Sequence, residues 1–259
     1  MRPARLAVVL VAHGSRDPRA AAATESLARA VGAAYPLWDV RAAYLDHSVP
    51  RPRQVLADFE GRGHGRAVLV PLLLTAAYHG RVDVPGEIAA ARADGLGMDV
   101  EVADVLGPFD GHVSPLLLGG LEQRLGEAAP GGGLDAVVLA AAGTRDSAAR
   151  ATVSRAAAAL GERLGVPCRV AYASAASPVS GEVVAVLRAQ GHRRVGLASY
   201  FLAPGLLYDN TVRSARAAGV TVVAEPLTDV PDLVRLVAGR IRAAAGRCAV
   251  VGSAAARSA

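Results

Sequence analysis

The sequence predicts an α/β protein made of two tandem duplicated domains, each with a four-stranded, mainly parallel sheet flanked by helices. Short apolar, β-branched runs alternate with longer Ala- and Arg-rich stretches, and the second half of the chain repeats the first. The apolar runs are continuous rather than alternating, which is typical of strands buried on both faces of a parallel sheet. Alternation of strands and helices favours crossover connections between parallel strands.

Each element follows from this pattern. The predicted strands are residues 6–12, 39–45, 67–73, 98–105, 136–142, 168–173, 194–200 and 220–225. The predicted helices are residues 19–34, 51–62, 85–94, 111–129, 146–164, 178–190, 209–218 and 230–245. Pro85 is expected to open the third helix, because proline fits the first helical position, and Gly95 to end it.

The repeat is carried by aligned motifs. Residues 8–17 align with residues 137–146 at an offset of 129, and Tyr44 aligns with Tyr172 at an offset of 128. So nearly constant an offset indicates duplication, with the Pro-Gly-Gly-Gly run at 130–133 as the boundary. We predict an N-terminal domain over 1–129, a linker over 130–133, a C-terminal domain over 134–247 and a tail over 248–259.

Composition restricts the class of protein. Apolar residues make up 52% and charged residues 20% of the chain, which excludes intrinsic disorder. No apolar run approaches the roughly 20 residues of a membrane span. The first apolar run ends in His-Gly-Ser rather than a signal-peptide cleavage site, and two cysteines suit a reducing compartment. We expect a cytoplasmic protein that does not bind membranes.

The net charge is +5, and all 28 basic residues are arginine. Two interpretations stay open: the compositional bias of a GC-rich genome, or a ligand rich in carboxylates or phosphates, which arginine binds bidentately. Nucleic acid is not the expected partner, because the chain has no dense arginine run and only 4% aromatic residues.

Three predicted strands of the first half end in chemically active side chains. His13 follows the first strand, Asp46 and His47 follow the second, and His79 lies in the loop after the third. Ligands of parallel sheets bind at the carboxyl ends of the strands. Imidazole and carboxylate groups there predict a metal-binding or proton-transfer site. The structural alternative is that each histidine caps a loop or packs in the core.

The second half serves as an internal control. The positions of His13, Asp46 and His79 are Ala142, Ser174 and Leu207 there. In contrast, the turn residues Gly14, Arg16 and Asp17 are kept as Gly143, Arg145 and Asp146. Joint loss of the three groups suggests that they act as one unit and that only the first half is active.

The motifs Ala-His-Gly-Ser-Arg-Asp-Pro at 12–18, Tyr-Leu-Asp at 44–46 and Val-Pro-Leu-Leu-Leu…His79-Gly…Asp-Val-Pro at 70–85 resemble those of the sirohydrochlorin chelatases. These class II chelatases insert iron or cobalt into a tetrapyrrole. The resemblance covers nearly the whole chain, in the family's long, duplicated form. It implies two chelatase-like domains facing each other across a cleft, with His13 and His79 as the catalytic and metal-binding pair. Asp46 matches an acidic residue that is often glutamate, and the adjacent His47 could substitute for it.

What the resemblance implies is a lyase of sirohaem or cobalamin biosynthesis, with sirohydrochlorin and Fe²⁺ or Co²⁺ as substrates and no permanently bound cofactor. The carboxylates on the tetrapyrrole rim suit Ser15, Arg16 and Arg81, and the ring suits an apolar wall that includes Leu73, Leu74 and Tyr78. The structural alternatives are, for Arg16, a salt bridge with Asp17 or a contact with the helix end and, for residues 72–74, a plain strand end.

Two other functions compete with the chelatase prediction. A non-enzymatic tetrapyrrole or metal carrier with the same pocket is the alternative. A hydrolase is disfavoured, because Ser15 does not lie in a Gly-x-Ser-x-Gly elbow. The duplication already supplies a twofold partner within one chain, so a monomer is expected.

Overall fold

The structure, a computed structural model, describes residues 5–75 and 78–255, with the backbone alone for 78–82 and 248–255. The strands are β1 Leu6–Ala12, β2 Trp38–Tyr44, β3 Arg66–Pro71, β4 Asp99–Val102, β5 Ala136–Ala141, β6 Cys168–Tyr172, β7 Val195–Tyr200 and β8 Val222–Val223. The helices are α1 Pro18–Ala34, α2 Pro52–Gly61, α3 Tyr78–Ala93, α4 Pro115–Ala128, α5 Ser147–Leu164, α6 Ser180–Ala189, α7 Leu206–Ala217 and α8 Pro231–Ala255.

Within the described residues, the strands form two four-stranded sheets with the same strand order. The orders are β2-β1-β3-β4 and β6-β5-β7-β8, and every pairing is parallel. The predicted fold of two duplicated α/β halves is confirmed. β1 and β5 are the second strands of their sheets, so each is paired on both edges and packed by helices, which matches their uninterrupted apolar sequences.

Several helix limits differ from the predicted ones. α3 begins at Tyr78, so Pro85 lies inside the helix instead of opening it, and the prediction was wrong there. α8 continues to Ala255, so the predicted tail at 248 begins within a helix. Within the described residues, no helix is both long enough and apolar enough to cross a membrane.

The chain divides into two compact units whose limits differ from those of the sequence repeat. The first unit is Met1–Leu106 with Val234–Ala259, and the second is Gly107–Leu233. α4, which belongs to the first sequence half, therefore packs in the second unit, against α5 and β7. α8, from the second half, packs in the first unit, where Arg247 lies 3.3 Å from the Asp104 carboxylate.

Two glycines of α4 lie against the segment that leads into α8. A Cβ at Gly119 would lie 2.2 Å from the Asp232 carboxylate, and one at Gly120 would lie 3.1 Å from the side chains of Leu227 and Val230. Glycine suits these positions, because a Cβ at Gly120 would force the Leu227 and Val230 side chains to shift, whereas the flexible Asp232 carboxylate could move away from one at Gly119. Two adjacent glycines inside a helix were the sequence signal for this contact.

Candidate functional site

The site is built at the carboxyl ends of β1 and β2, in the first unit. The hydrogen-bond ladder continues past both strands, because Leu45 N–H donates to the Ala12 carbonyl (3.0 Å) and Asp46 N–H donates to the His13 carbonyl (2.8 Å). His13 and Asp46 are thus fixed as backbone neighbours. The structure brings together these two residues, which the sequence predicted as site residues, and both are exposed.

Gly14 makes this approach possible. Its φ is +95°, and a Cβ there would lie 1.7 Å from the Asp46 carbonyl oxygen. Any side chain would collide with the neighbouring loop and would also strain the backbone. The glycine of the His-Gly-Ser motif therefore positions the two loops rather than taking part in the chemistry.

His47 is the third side chain of this loop pair. Its backbone has a left-handed φ of 57°, and its N–H donates to Asp46 Oδ1 at 2.8 Å. Its ring Nε2 lies 3.5 Å from Asp46 Oδ2. The rings of His13 and His47 stand edge to face, with centroids 6.4 Å apart. Sequence reasoning gave His47 only as a possible substitute for Asp46.

The surroundings of Asp46 favour its ionised form. The hydrogen bond from His47 N–H lowers the pKa of the Asp46 carboxyl most, and electrostatic interactions with the side chains of His47, Arg51 and His13 act in the same direction. Partial loss of solvent opposes them without prevailing. The carboxylate is therefore available to attract a cation.

Ser15 and Asp17 shape the turn into α1. Ser15 Oγ accepts a hydrogen bond from Asp17 N–H (3.1 Å), and the Asp17 carboxylate caps the helix at Arg19 N–H (2.9 Å). Asp17 also forms an ion pair with Arg19 at 2.6 Å, whereas the Arg16 side chain is exposed. The Arg16–Asp17 salt bridge considered as an alternative is thus replaced by one to Arg19.

Arg51 is a residue that sequence reasoning missed. It directly precedes α2, and within the described residues its Nη1 is a buried atom without a hydrogen-bond partner. Its charge contributes to the lowered pKa of Asp46. The sequence held one clue to its role: the residue aligned with Arg51 in the second half is Val179, so the arginine is lost there together with His13 and Asp46.

The third strand end is described only in part. β3 ends at Pro71, after which Leu72 is buried while Leu73 and Leu74 are partly exposed, so these leucines do not continue the strand. Residue 79, expected in a loop, belongs to the backbone of α3. The side chains of Tyr78, His79 and Arg81 lie outside the described part of the chain, and the predicted pairing of His79 with His13 remains a prediction.

Within the described residues, no group of three or more His, Cys, Asp or Glu side chains is arranged to hold a metal ion. His13 and Asp46 present one imidazole and one carboxylate at an open edge of the sheet. Such a pair offers few ligands, which suits an ion that is passed on more than one that is retained.

Known proteins share this architecture. A family model described as CbiX matches residues 7–128 and 136–244. A relative from Methanococcoides burtonii, named sirohydrochlorin cobaltochelatase, is 26% identical over 115 residues, which are 44% of this chain and 82% of the relative.

Two solved structures have the same fold. SirB from Bacillus subtilis with Fe³⁺ is 20% identical with a TM-score of 0.75, and covers 92% of this chain and 94% of its own. SirB from Bacillus subtilis subspecies spizizenii in complex with cobalt is 18% identical with a TM-score of 0.71, at the same coverage of both chains. Since the family model matches both halves and most of the sequence, this chain belongs to the CbiX family.

Proposed function

We propose that this protein inserts a divalent metal ion, Fe²⁺ or Co²⁺, into sirohydrochlorin, as a chelatase of sirohaem or cobalamin biosynthesis. The observation that carries the proposal is the match of the CbiX family to both halves of the chain, with a relative named sirohydrochlorin cobaltochelatase. The loop pair that joins His13 to Asp46 supports it, because metal insertion needs groups that bind a cation and accept protons.

The reaction exchanges two pyrrole N–H protons for one divalent cation. In the proposed site, the imidazole of His13 and that of His79 contact the metal ion or take the departing protons. Asp46, whose carboxyl has a lowered pKa, contributes negative charge beside His13 and attracts the cation. Both His13 and Asp46 are exposed, so an ion and a macrocycle can approach them.

Substrate recognition is proposed for the residues around this pair. Arg16 is exposed next to His13 and suits a carboxylate of the tetrapyrrole rim, and Arg81 is proposed for the same task. The Ser15 hydroxyl accepts a hydrogen bond within the turn and still has a proton to donate. The partly exposed Leu73 and Leu74, with Tyr78, provide the apolar surface for the ring.

The test is insertion of Co²⁺, or of Fe²⁺ without oxygen, into sirohydrochlorin, followed by absorbance. We expect His13→Ala to lower the enzyme-catalysed rate by about 100-fold or more. Arg145→Ala, at the equivalent turn of the second unit, is the matched control and should retain activity. A wild-type rate no higher than that of the uncatalysed reaction would reject the chelatase and favour a non-enzymatic carrier of tetrapyrrole or metal.

The proposal includes a monomeric protein working in the cytoplasm. The internal duplication supports one chain per functional molecule, and the two cysteines are too few for a disulfide framework. Light scattering after gel filtration tests the first point: a mass of 26.3 kDa is expected, and twice that mass would contradict it.

A further inference from the structure

The feature that the proposed reaction leaves unused is the imidazole of His47. It is exposed, its Nε2 lies 3.5 Å from Asp46 Oδ2, and its ring centroid is 6.4 Å from that of His13. Two imidazoles therefore flank one ionised carboxylate at the carboxyl ends of β1 and β2.

The backbone alone does not require a histidine here. His47 has a φ of 57°, a conformation in which histidine is more frequent than most residues. The equivalent residue of the second unit, Ala175, has a φ of 56° in the same turn. Since alanine adopts this conformation in the duplicate, the turn does not explain the imidazole.

The replacement of His47 is part of a set. Between the two units, His13 becomes Ala142, Asp46 becomes Ser174 and His47 becomes Ala175. The loop geometry survives all three changes, because Gly143 has a φ of +93° and Ser174 N–H still donates to the Ala142 carbonyl (3.1 Å). The side chains vary together while the backbone is kept, which points to a shared chemical task.

We infer that His47 contacts the incoming metal ion together with His13 and Asp46, and that this trio forms a docking position where the ion is held before insertion. The inference rests on the proposed function and adds a residue to its metal site. Imidazole and carboxylate ligands suit both Fe²⁺ and Co²⁺. The three groups do not form a closed ligand set as they stand; exposed side chains rotate rapidly, so an arriving ion can draw them together.

Binding of Co²⁺ to the full chain without tetrapyrrole tests the docking position. Calorimetry and the visible absorption of bound Co²⁺ give the dissociation constant. We expect His47→Ala to weaken binding by about 10–100-fold, the range typical of groups that support a metal site. His112→Ala, which removes an exposed imidazole from the second unit, is the control and should change nothing.

Folding is a small risk for these variants. Ala175 shows that alanine fits the turn, and His47→Asn places a residue type that favours a left-handed φ. Neither variant carries the imidazole, so both should lose Co²⁺ affinity alike. Unchanged affinity in both would overturn the inference.

A double-mutant comparison separates metal contact from mere orientation of Asp46. In an Asp46→Ser background, which copies Ser174, His47→Ala should weaken Co²⁺ binding further if the ring touches the ion. No further effect would mean that His47 acts only through Asp46, and the inference would fail.

Failure of the docking position can be told apart from failure of the proposed function. Wild-type insertion activity with Co²⁺ affinity unaffected by His47 variants would reject the docking position alone. Co²⁺ affinity that depends on His47, in a protein that does not accelerate insertion, would reject the chelatase alone.

Discussion

The loop pair after β1 and β2 and the loop pair after β5 and β6 have nearly the same backbone and different side chains. Gly14 and Gly143 have φ values of +95° and +93°, and a Cβ on either would lie within 2 Å of the facing carbonyl oxygen, 1.7 Å from that of Asp46 and 1.9 Å from that of Ser174. Ser15 and Thr144 accept the same hydrogen bond in the following turn. The second unit therefore keeps the backbone of the loop pair and lacks the imidazole and carboxylate side chains.

This difference separates two kinds of residue within one motif. The glycine and the hydroxyl residue are needed by the turn, since both units keep them. The imidazoles and the carboxylate are not, since the second unit folds the same turn with Ala142, Ser174 and Ala175. In the second unit the Ser174 hydroxyl donates a hydrogen bond to the Ala142 carbonyl (3.0 Å), so this polar group stabilises the loop pair.

The largest effect is expected from alanine at the two turn glycines. Gly14→Ala and Gly143→Ala should each lower the free energy of unfolding by at least about 1–3 kcal/mol, because each combines a left-handed φ with a backbone collision. Chemical denaturation measures this. In protein that remains folded, only Gly14→Ala should lose metal insertion. Equal loss of activity in both variants would contradict the division of labour between the units.

Transplanting the three side chains tests the comparison in the other direction. The triple variant Ala142→His, Ser174→Asp and Ala175→His should bind one more equivalent of Co²⁺ than the wild type, because the receiving backbone already has the required geometry. Calorimetric stoichiometry is the measurement. A variant with asparagine at all three positions is the control for polarity without strong ligands. An unchanged stoichiometry would show that the loop pair alone is insufficient.

Arg51→Val copies Val179 and should have a smaller effect. Removing the guanidinium takes away one positive charge that favours ionised Asp46, so the pKa of the Asp46 carboxyl should rise towards its usual value. Because the His47 N–H bond is the larger cause, the rise should be only partial. Carbon NMR titration of the carboxyl measures it.

Stability supplies a second readout for Arg51→Val. The variant removes a buried nitrogen that has no hydrogen-bond partner in the described residues, and this gain should outweigh the small loss of attraction between Arg51 and the exposed Asp46 carboxylate, so the free energy of unfolding should not fall. A lowered free energy of unfolding would contradict the view that the buried Arg51 nitrogen is a net cost, and an unchanged pKa of Asp46 would contradict an electrostatic role for Arg51.

The smallest effect concerns β6, where Cys168 stands at the position of Val40 in β2. Burial raises the pKa of the Cys168 thiol from 9.0 to about 12. The unfolded thiol ionises first, so this group's contribution to stability is complete below pH 9 and declines as the pH rises towards 12. Cys168→Val should flatten the fall of the unfolding free energy between pH 8 and 10. Urea titrations at each pH measure this, and an identical slope would contradict it.

The sequence alone determined the succession of strands and helices along the chain, the duplication, and the placement of His13 and Asp46 at strand ends. These follow from local patterns: apolar runs define strands, and the His-Gly-Ser-Arg-Asp turn carries its own glycine and helix cap. It failed at the start of α3, because the sequence predicts Pro85 as the first helical residue and the helix begins at Tyr78. A proline restricts its own φ but does not prevent a helix from having begun earlier.

Only the tertiary structure decided which helix completes which unit, and which side chains stand around Asp46. α4 packs outside its own sequence half, and there Gly119 and Gly120 lie close to residues more than 100 positions away, such as Asp232. His47 and Arg51 matter because the folded chain brings them close to Asp46, His47 through its left-handed turn and Arg51 at the start of α2. Periodicity reports how a segment faces its own surroundings, whereas contacts between distant segments depend on shape and charge that appear only when the chain is folded.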